Sequence, residues 1–507
     1  GVGGAPVTGI FVSASKGNDL ADGAKHRPLK TLAAAIARAK EQAVDAQRKV
    51  IACAETFDEA VVLVDGVSMF GNYDCGDLSD WKEVATHATI ASPTSPAVVA
   101  ENLTVGMRFE GFDVVAPDQL GTPQAKVPAA SSYAMIVKGT EGLVLSKTTL
   151  RAGKGQDGRD GDEPAEGNKE LSTSVKGGDA GEQVICSNTG VFTVFGCMPS
   201  LTGAPEPLFV RGKSGGVSSC RTGPNGGPGG TGGQGPIVSG GEYRSAYTPA
   251  AGLPEPGSAP TALTAPGGAP NGLGSEPGKN GREGDPGTKG ANGRWSFDAS
   301  GFVPVDGSAG SMGGPGQGGG GGAGTTQLWK LTNTLPHKLL PYSSDELPTG
   351  KALGATGAGG GAGGCGGLPG TAGTTGGASV GLFVVASKVM LESGVRIEAK
   401  AGGRAGKGTL GTVGTPGNAG GAGRTNLFDD LKGAAGGAGG AGGAAGLSGH
   451  GAPGPSIAMV FSGTRPDTSA GGVELIAGTP GQGAPALVRG NQSLPAVVGV
   501  AKAEQEF

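Results

Sequence analysis

Aromatic residues make up only 4% of this chain of 507 residues, charged residues only 16%, and there are four histidines. Each shortage excludes something. A net charge of −4 leaves no basic surface for phosphates, and so few aromatic faces give bases little to stack on, so nucleic-acid binding is not expected. No apolar run approaches the ~20 residues of a membrane-spanning helix, and no spanning segment is expected. Phosphate loops of the Gly-x-x-x-x-Gly-Lys-Ser/Thr kind are absent. The chain opens at Gly1 with no initiator methionine or signal segment, which is read as a mature form whose targeting peptide has been removed.

None of the six cysteines, Cys53, Cys75, Cys186, Cys197, Cys220 and Cys365, belongs to a Cys-x-x-Cys pair. Without metal-ligand spacing a zinc site is disfavoured, and disulfides in an oxidising compartment are the expectation.

Glycine is what the chain has in abundance. Its 107 glycines exclude helix from most of the sequence, at roughly 1 kcal/mol against alanine for each interior helical position. Glycine falls at every third position in six separate runs, at 223–235, 278–293, 307–322, 354–366, 408–423 and around 433–449. In GKNGREGDPGTKGANG (278–293) this is the period of collagen. The runs are short, however, and most place Ala, Gly or Thr where a triple helix needs dense proline. On an extended helix of three residues per turn, rising about 3.1 Å per residue, such spacing makes a stripe without side chains, along which neighbouring helices approach closely. The alternatives to collagen are a bundle of polyglycine II helices exchanging backbone hydrogen bonds, or plain disorder. A strict period of three is wasted on a flexible linker, so the bundle is the expectation. It is costly, at about 1–2 kcal/mol of backbone entropy per ordered residue. Disulfides from Cys220 and Cys365, which flank or interrupt the runs, would lower that cost by constraining the unfolded chain.

Near the start, GIFVSASKGNDLADGAKHRPLKTLAAAIARAKEQAVDAQRKVIACAETFDEAVVLVDGVSMFGNYDC reads as strand, polar loop, helix and closely spaced strands. Pro28 suits a first helical turn, and Leu29, Leu32, Ile36, Ala39 and Ala43 recur on one face. The helix ends before Val50. Short apolar strands follow at 50–53, 60–64 and 67–70, separated by Asp or Gly turns, in the rhythm of a parallel β-helix coil. With FVSASKGND and PLKTLAAAI leading into FDEAVVLVDGVSMFGNYDC, the first 75 residues resemble the N-terminal part of secreted bacterial proteins of the right-handed parallel β-helix, pectate-lyase-like superfamily. The resemblance implies that the helix caps the open end of the β-helix. It also implies that Cys53 and Cys75 lie on adjacent coils, where they could close a disulfide. The glycine repeats resemble those of a glycine-rich antifreeze protein and of some phage adhesins, without sharing their sequence.

Three later segments, 132–155, 379–402 and 456–481, resemble one another, each an apolar strand, a turn, a second strand and a glycine-rich exit. Each reads as one coil from which a long excursion leaves. The fold expected is therefore all-β: a right-handed parallel β-helix with an N-terminal capping helix and a glycine-rich polyglycine II helix bundle formed by long loop excursions. Its expected divisions are 1–204 for the capping helix and first coils, 205–378 for glycine-rich excursions, and 379–507 for C-terminal coils with further excursions. The apolar end PAVVGVAKAEQEF reads either as a strand for contact with another subunit or as a last coil closing its own β-helix.

No catalytic constellation stands out. GHG at 449–451 and RIE at 396–398 are similar to motifs of the polygalacturonase subset, but their order is reversed, Glu398 replaces a lysine, and no Asn-Thr-Asp precedes them. Asp429 and Asp430 are adjacent on one loop, whereas glycosidases hold two carboxyls across a cleft. The acidic loops GNDLADG and GQDGRDGDEP offer oxygen ligands, so Asp19, Asp22, Asp157, Asp160 and Asp162 are calcium candidates, although neither loop matches the twelve-residue calcium loop. Otherwise no cofactor is expected.

These features point to a secreted or cell-surface bacterial protein with a structural or adhesive role, not an enzyme, self-associating as a homo-oligomer or a polymer such as a fibre or surface layer. Surface glycans are candidate partners. A polysaccharide-binding or polysaccharide-cleaving β-helix protein is the alternative, although Trp81, Trp295 and Trp329 are widely separated. An ice-binding protein using a regularly spaced glycine-rich face is a second.

Overall fold

The computed structural model describes residues 8–42, 48–180, 182–185, 212–233, 237–239, 242–244, 276–324, 329–331, 339–341, 352–425 and 432–507. Among these the chain is all-β, with three large parallel sheets and a single helix, Leu32–Lys40. The helix begins later than the sequence suggests. Thr31 caps it, its hydroxyl accepting from the Ala34 N–H at 3.2 Å. Pro28 and Leu29 lie before the first turn because Leu29 is still extended, its N–H donating to the Phe11 carbonyl while its own carbonyl accepts from Ser13. Leu32, Ala35, Ile36 and Ala39 are buried against the core; Ala43 falls outside the described residues.

From Lys49 to Ser462 the chain visits three sheets in rotation, and in the last circuit the first sheet receives only an isolated bridge, Met390 to Asp467. The first sheet runs Ile10–Val12, Lys49–Cys53, Ser68–Asp74, Met107–Glu110, Glu141–Ser146 and Lys388–Leu391. The second runs Thr56–Phe57, Ala88–Ala91, Phe112–Val115, Thr149–Arg151, Arg396–Glu398 and Glu474–Ile476, and the third Val61–Val62, Val98–Glu101, Ser132–Lys138, Ser379–Val385, Ser456–Ser462 and Ala501–Glu506. Because each full circuit adds one strand to each sheet, with register shifts only at Ile51/Cys53 and Glu141/Leu143 of the first, like residues stack into columns. Phe57, Ile90, Val114, Leu150, Ile397 and Leu475 form one column. Val50, Met69, Phe109, Leu145 and Leu391 form another. Nearly all are fully buried, and each such side chain contributes about 1.5–3 kcal/mol. On the third sheet the column Val61, Val98, Met135, Leu382 and Met459 ends at Glu504, which pairs with Arg465. An acid at the inward position of the outermost strand opposes further stacking there.

In its strands Ser379–Val385 and Ser456–Ser462 the third sheet is buried on both faces. Its outer face carries Ile136, Phe383 and Val460, over which the hairpin Arg294–Asp298/Gly301–Val305 lays Phe297. Phe383 stacks on Phe507 at 5.5 Å between centroids. The Tyr133 hydroxyl accepts from the Phe302 N–H at 2.8 Å, and burial pushes that phenol up to about 12.

Between the second and third sheets, at the same corner, the chain leaves three times, after Arg151, Glu398 and Ile476, and returns at Ser379, Ser456 and Ala501. The similarity among 132–155, 379–402 and 456–481 is thus structural. The C-terminal end PAVVGVAKAEQEF contributes Ala501–Glu506, which pairs in parallel with Ser456–Ser462.

Candidate functional site

The excursions meet in an array of extended, laterally bonded glycine-rich segments. At its centre lies 356–378, where every residue of the triplet points its N–H at a different neighbour. Gly357, Gly360 and Gly363 donate to Gly233, Gly230 and Gly227; Ala358, Gly361 and Gly364 donate to Ala434, Gly437 and Gly440; Gly359 and Ala362 donate to Gly178 and Val175, all at 2.8–3.0 Å. Its carbonyls accept from three further stretches, through Lys213 and Gly216, through Gly316, Gly319 and Gly322, and through Asn418 and Gly421. Six stretches therefore surround one. Three residues per turn place successive N–H groups about a third of a turn apart, which produces this arrangement. The close approach requires glycine: a Cβ on Gly360 would lie 2.0 Å from the Gly319 carbonyl oxygen.

Where a backbone N–H has no carbonyl opposite, a side chain from the next segment serves it. The hydroxyls of Thr412 and Thr415 accept from Leu368 and Cys365, and those of Ser308 and Ser311 from Ala291 and Thr288. Asn280 and Asn292 accept from Ala438 and His450. Asp157, Asp160 and Glu163, themselves three residues apart, accept from Arg404, Lys407 and Leu410 at 2.7–2.8 Å.

That last ladder contains two calcium candidates. Burial raises the Asp157 carboxyl, but the Arg404 N–H and the Lys154 ammonium outweigh it and hold the group below its ordinary value. Asp160 behaves alike, burial being outweighed by the Arg404 guanidinium and the Lys407 N–H. Asp162 pairs with Arg159. Asp19 receives the N–H groups of Lys30 and Thr31, and Asp22 that of Ala24 together with the Arg27 guanidinium. The acids that looked like metal ligands are thus engaged with N–H groups and cations. Among the described residues, the His, Cys, Asp and Glu side chains that converge in threes are Cys53, Glu55, Cys75 and Glu170, Cys220, Cys365. Both sets contain a disulfide.

Those disulfides are Cys53–Cys75, with Cα atoms 5.5 Å apart, and Cys220–Cys365, at 5.7 Å. The first joins the end of Lys49–Cys53 to the residue just after its neighbour Ser68–Asp74 in the first sheet, as the sequence resemblance implied. The second ties 212–233 to the central segment. Cys186 and Cys197 lie outside the described residues, as do Asp429 and Asp430.

His450 sits inside the array, fully buried. Its Nδ1 accepts from the Gly408 N–H at 3.0 Å. Burial depresses its pKa, which the Pro485 carbonyl only partly offsets. Arg396 is bound to Glu398 and Glu474, and Glu398 also to Arg151. His450 and the Arg396–Glu398 stretch are on separate parts of the fold, the array and the second sheet. The outer face of the first sheet carries a similar ladder, Glu83–Lys147–Glu110–Arg108–Glu392. A shallow cleft of about 540 Å³ beside the helix N-terminus is lined by Ser15, Lys30, Glu55, Asp58 and Glu59 among others. Of the three tryptophans, Trp81 is buried against Phe11 and Trp295 belongs to the hairpin over the third sheet.

One outer row of the array is regular. On 405–422 the exposed residues are Lys407, Leu410, Val413, Pro416, Ala419 and Ala422, one per triplet. No helix among the described residues is long and apolar enough to cross a membrane. No protein-family model, curated protein or solved structure matches the chain.

Proposed function

We propose that the chain is an extracellular structural or adhesive surface protein, in which a right-handed parallel β-helix carries a bundle of polyglycine II helices and the whole assembles into a fibre or surface layer. The observation that carries this reading is the central segment surrounded by six others. An array held by backbone hydrogen bonds through its interior is stiff, leaves few side chains for proteases, and has no need of an aromatic core. The three-sheet rotation and the stacked columns support the β-helix, and the disulfides favour an oxidising location. The ion-paired Glu504 on the outermost strand disfavours end-to-end stacking there, which supports assembly through the sides of the molecule. Negative-stain electron microscopy of the full chain, with and without a reducing agent, tests assembly: filaments or sheets are expected, and dispersed single particles at all concentrations would remove the fibre.

The outward row at Leu410, Val413, Pro416, Ala419 and Ala422 favours a second reading, ice binding, because about 9 Å between successive members of a three-residue period is a spacing a crystal surface can match. Thermal hysteresis measures it, and freezing that proceeds as in buffer dismisses it.

A further inference from the structure

Both disulfides are touched by the same two groups, a glutamate carboxylate and a serine hydroxyl. At Cys53–Cys75, Glu55 Oε1 lies 3.9 Å and Ser13 Oγ 3.8 Å from Cys75 Sγ. At Cys220–Cys365, Glu170 Oε2 lies 3.6 Å and Ser218 Oγ 4.0 Å from Cys365 Sγ, and Ser218 Oγ is 3.7 Å from Cys220 Sγ. Nothing in a disulfide needs a carboxylate beside it. Glu170 is nonetheless held in place, receiving the Ser218 hydroxyl and the N–H groups of Ser219 and Ser172. The nearest cations in sequence are drawn elsewhere, since Arg221 and Lys169 both pair with Glu166. At the other disulfide Lys16 Nζ donates to the Cys75 carbonyl oxygen at 2.9 Å, a cation beside that bond with no counterpart among the contacts of Glu170.

We infer that Glu170 is a kinetic guard on the Cys220–Cys365 disulfide, placed to resist thiol–disulfide exchange with external thiols. In that exchange a reductant thiolate bonds to Cys220 Sγ, the Cys220–Cys365 bond breaks, and its electron pair leaves on Cys365 Sγ as a thiolate. A second thiolate of the reductant then attacks the mixed disulfide, releasing oxidised reductant and the Cys220 thiolate, and both cysteines take protons from water. The negative charge formed in the first step appears on a fully buried sulfur facing Glu170. Exchange slows as the leaving sulfur becomes a poorer thiolate, and a neighbouring carboxylate has that effect. Glu170 is here a positioning residue that acts through the sulfur. The guard matters because this bond fixes 212–233 to the segment on which the array is built.

The test uses Glu170→Gln in the full oxidised chain. Gln keeps an acceptor for Ser219 and Ser218 while removing the charge. Reduction by dithiothreitol is followed at pH 8 by alkylation and peptide mass spectrometry, which reads Cys365 and Cys75 separately. Exchange at Cys365 is expected to quicken about tenfold while that at Cys75 stays unchanged. In the reduced variant the pH at which Cys365 becomes alkylated should fall by about one unit relative to the reduced wild type. Amide exchange around Cys365 in the oxidised variant distinguishes charge from loosening. Quickened reduction with unchanged amide exchange supports the guard. An equal rise in both rates, an unchanged reduction rate, or an unshifted alkylation profile overturns it.

Discussion

Replacing Gly360 by alanine adds one methyl group at the centre of the array. The new Cβ would stand 2.0 Å from the Gly319 oxygen and 2.5 Å from its carbonyl carbon, so the segment 307–323 must retreat by more than about 1 Å to restore ordinary contact. That retreat breaks or stretches the bonds from Gly319 to Gly361 and from Gly322 to Ala358, both 2.9 Å, and strains that from Gly360 to Gly230 at 2.8 Å. At about 1 kcal/mol net for each bond, and about 1–3 kcal/mol for a buried group left without a partner, the loss is about 3–6 kcal/mol. Alanine returns only about 0.4–1 kcal/mol by restricting the unfolded chain. Gly167, with no atom within 4 Å of its would-be Cβ, supplies the control, where alanine should be neutral or slightly stabilising. Guanidinium unfolding measures both variants, and amide exchange across 307–323 localises the effect. A Gly360→Ala protein with the wild-type midpoint and unchanged protection of Gly319 and Gly322 would refute the steric argument.

Cys365→Ser opens a closure of 145 residues, which loop entropy puts at about 5 kcal/mol; a melt on the oxidised proteins should show the loss, and the unchanged midpoint of a reduced wild type would contradict it. His450 has a folded pKa below its unfolded value near 6.5, so the native state binds fewer protons and stability present above that pH is lost as pH falls through it. His450→Gln, which can still accept from Gly408, should flatten that dependence in unfolding curves at pH 7.5 and pH 5.5. Asp157 has a lowered pKa, so its contribution is present above about pH 4 and lost as pH falls further. Asp157→Asn should cost about 1 kcal/mol at neutral pH and reduce acid sensitivity, read from urea midpoints between pH 5 and pH 2.

Much of this fold is legible in the chain because its regular parts have short periods. The strands near 50–53, 60–64 and 67–70 correspond to Lys49–Cys53, Val61–Val62 and Ser68–Asp74, since alternation and turn residues act locally. The recurrence of 132–155, 379–402 and 456–481 shows because each must fill the same columns. The start of the helix was misplaced because Leu29 answers to Phe11 and Ser13, eighteen and sixteen residues earlier, which no helical periodicity reports. The partners of the acidic loop at 155–164 are hidden from the sequence for a related reason. Asp157, Asp160 and Glu163 repeat every third residue in phase with glycine, and that phase was the signal that they serve backbone N–H groups of a partner about 247 residues away. The role of Glu170 had no sequence signal, because it depends on where Cys365 arrives.

The two halves of the molecule differ in what they hide from water, and so they should answer differently to temperature. The stacked columns bury aliphatic carbon, whose exposure raises heat capacity by about 0.45 cal/K/mol for each Å². The glycine segments bury mostly peptide groups, whose exposure lowers it by about 0.26. The β-sheet half therefore follows a curved stability profile that declines on cooling as well as on heating. The array follows a flatter one, governed by the enthalpy of its peptide–peptide contacts, and keeps its hold in the cold where an aliphatic core loosens.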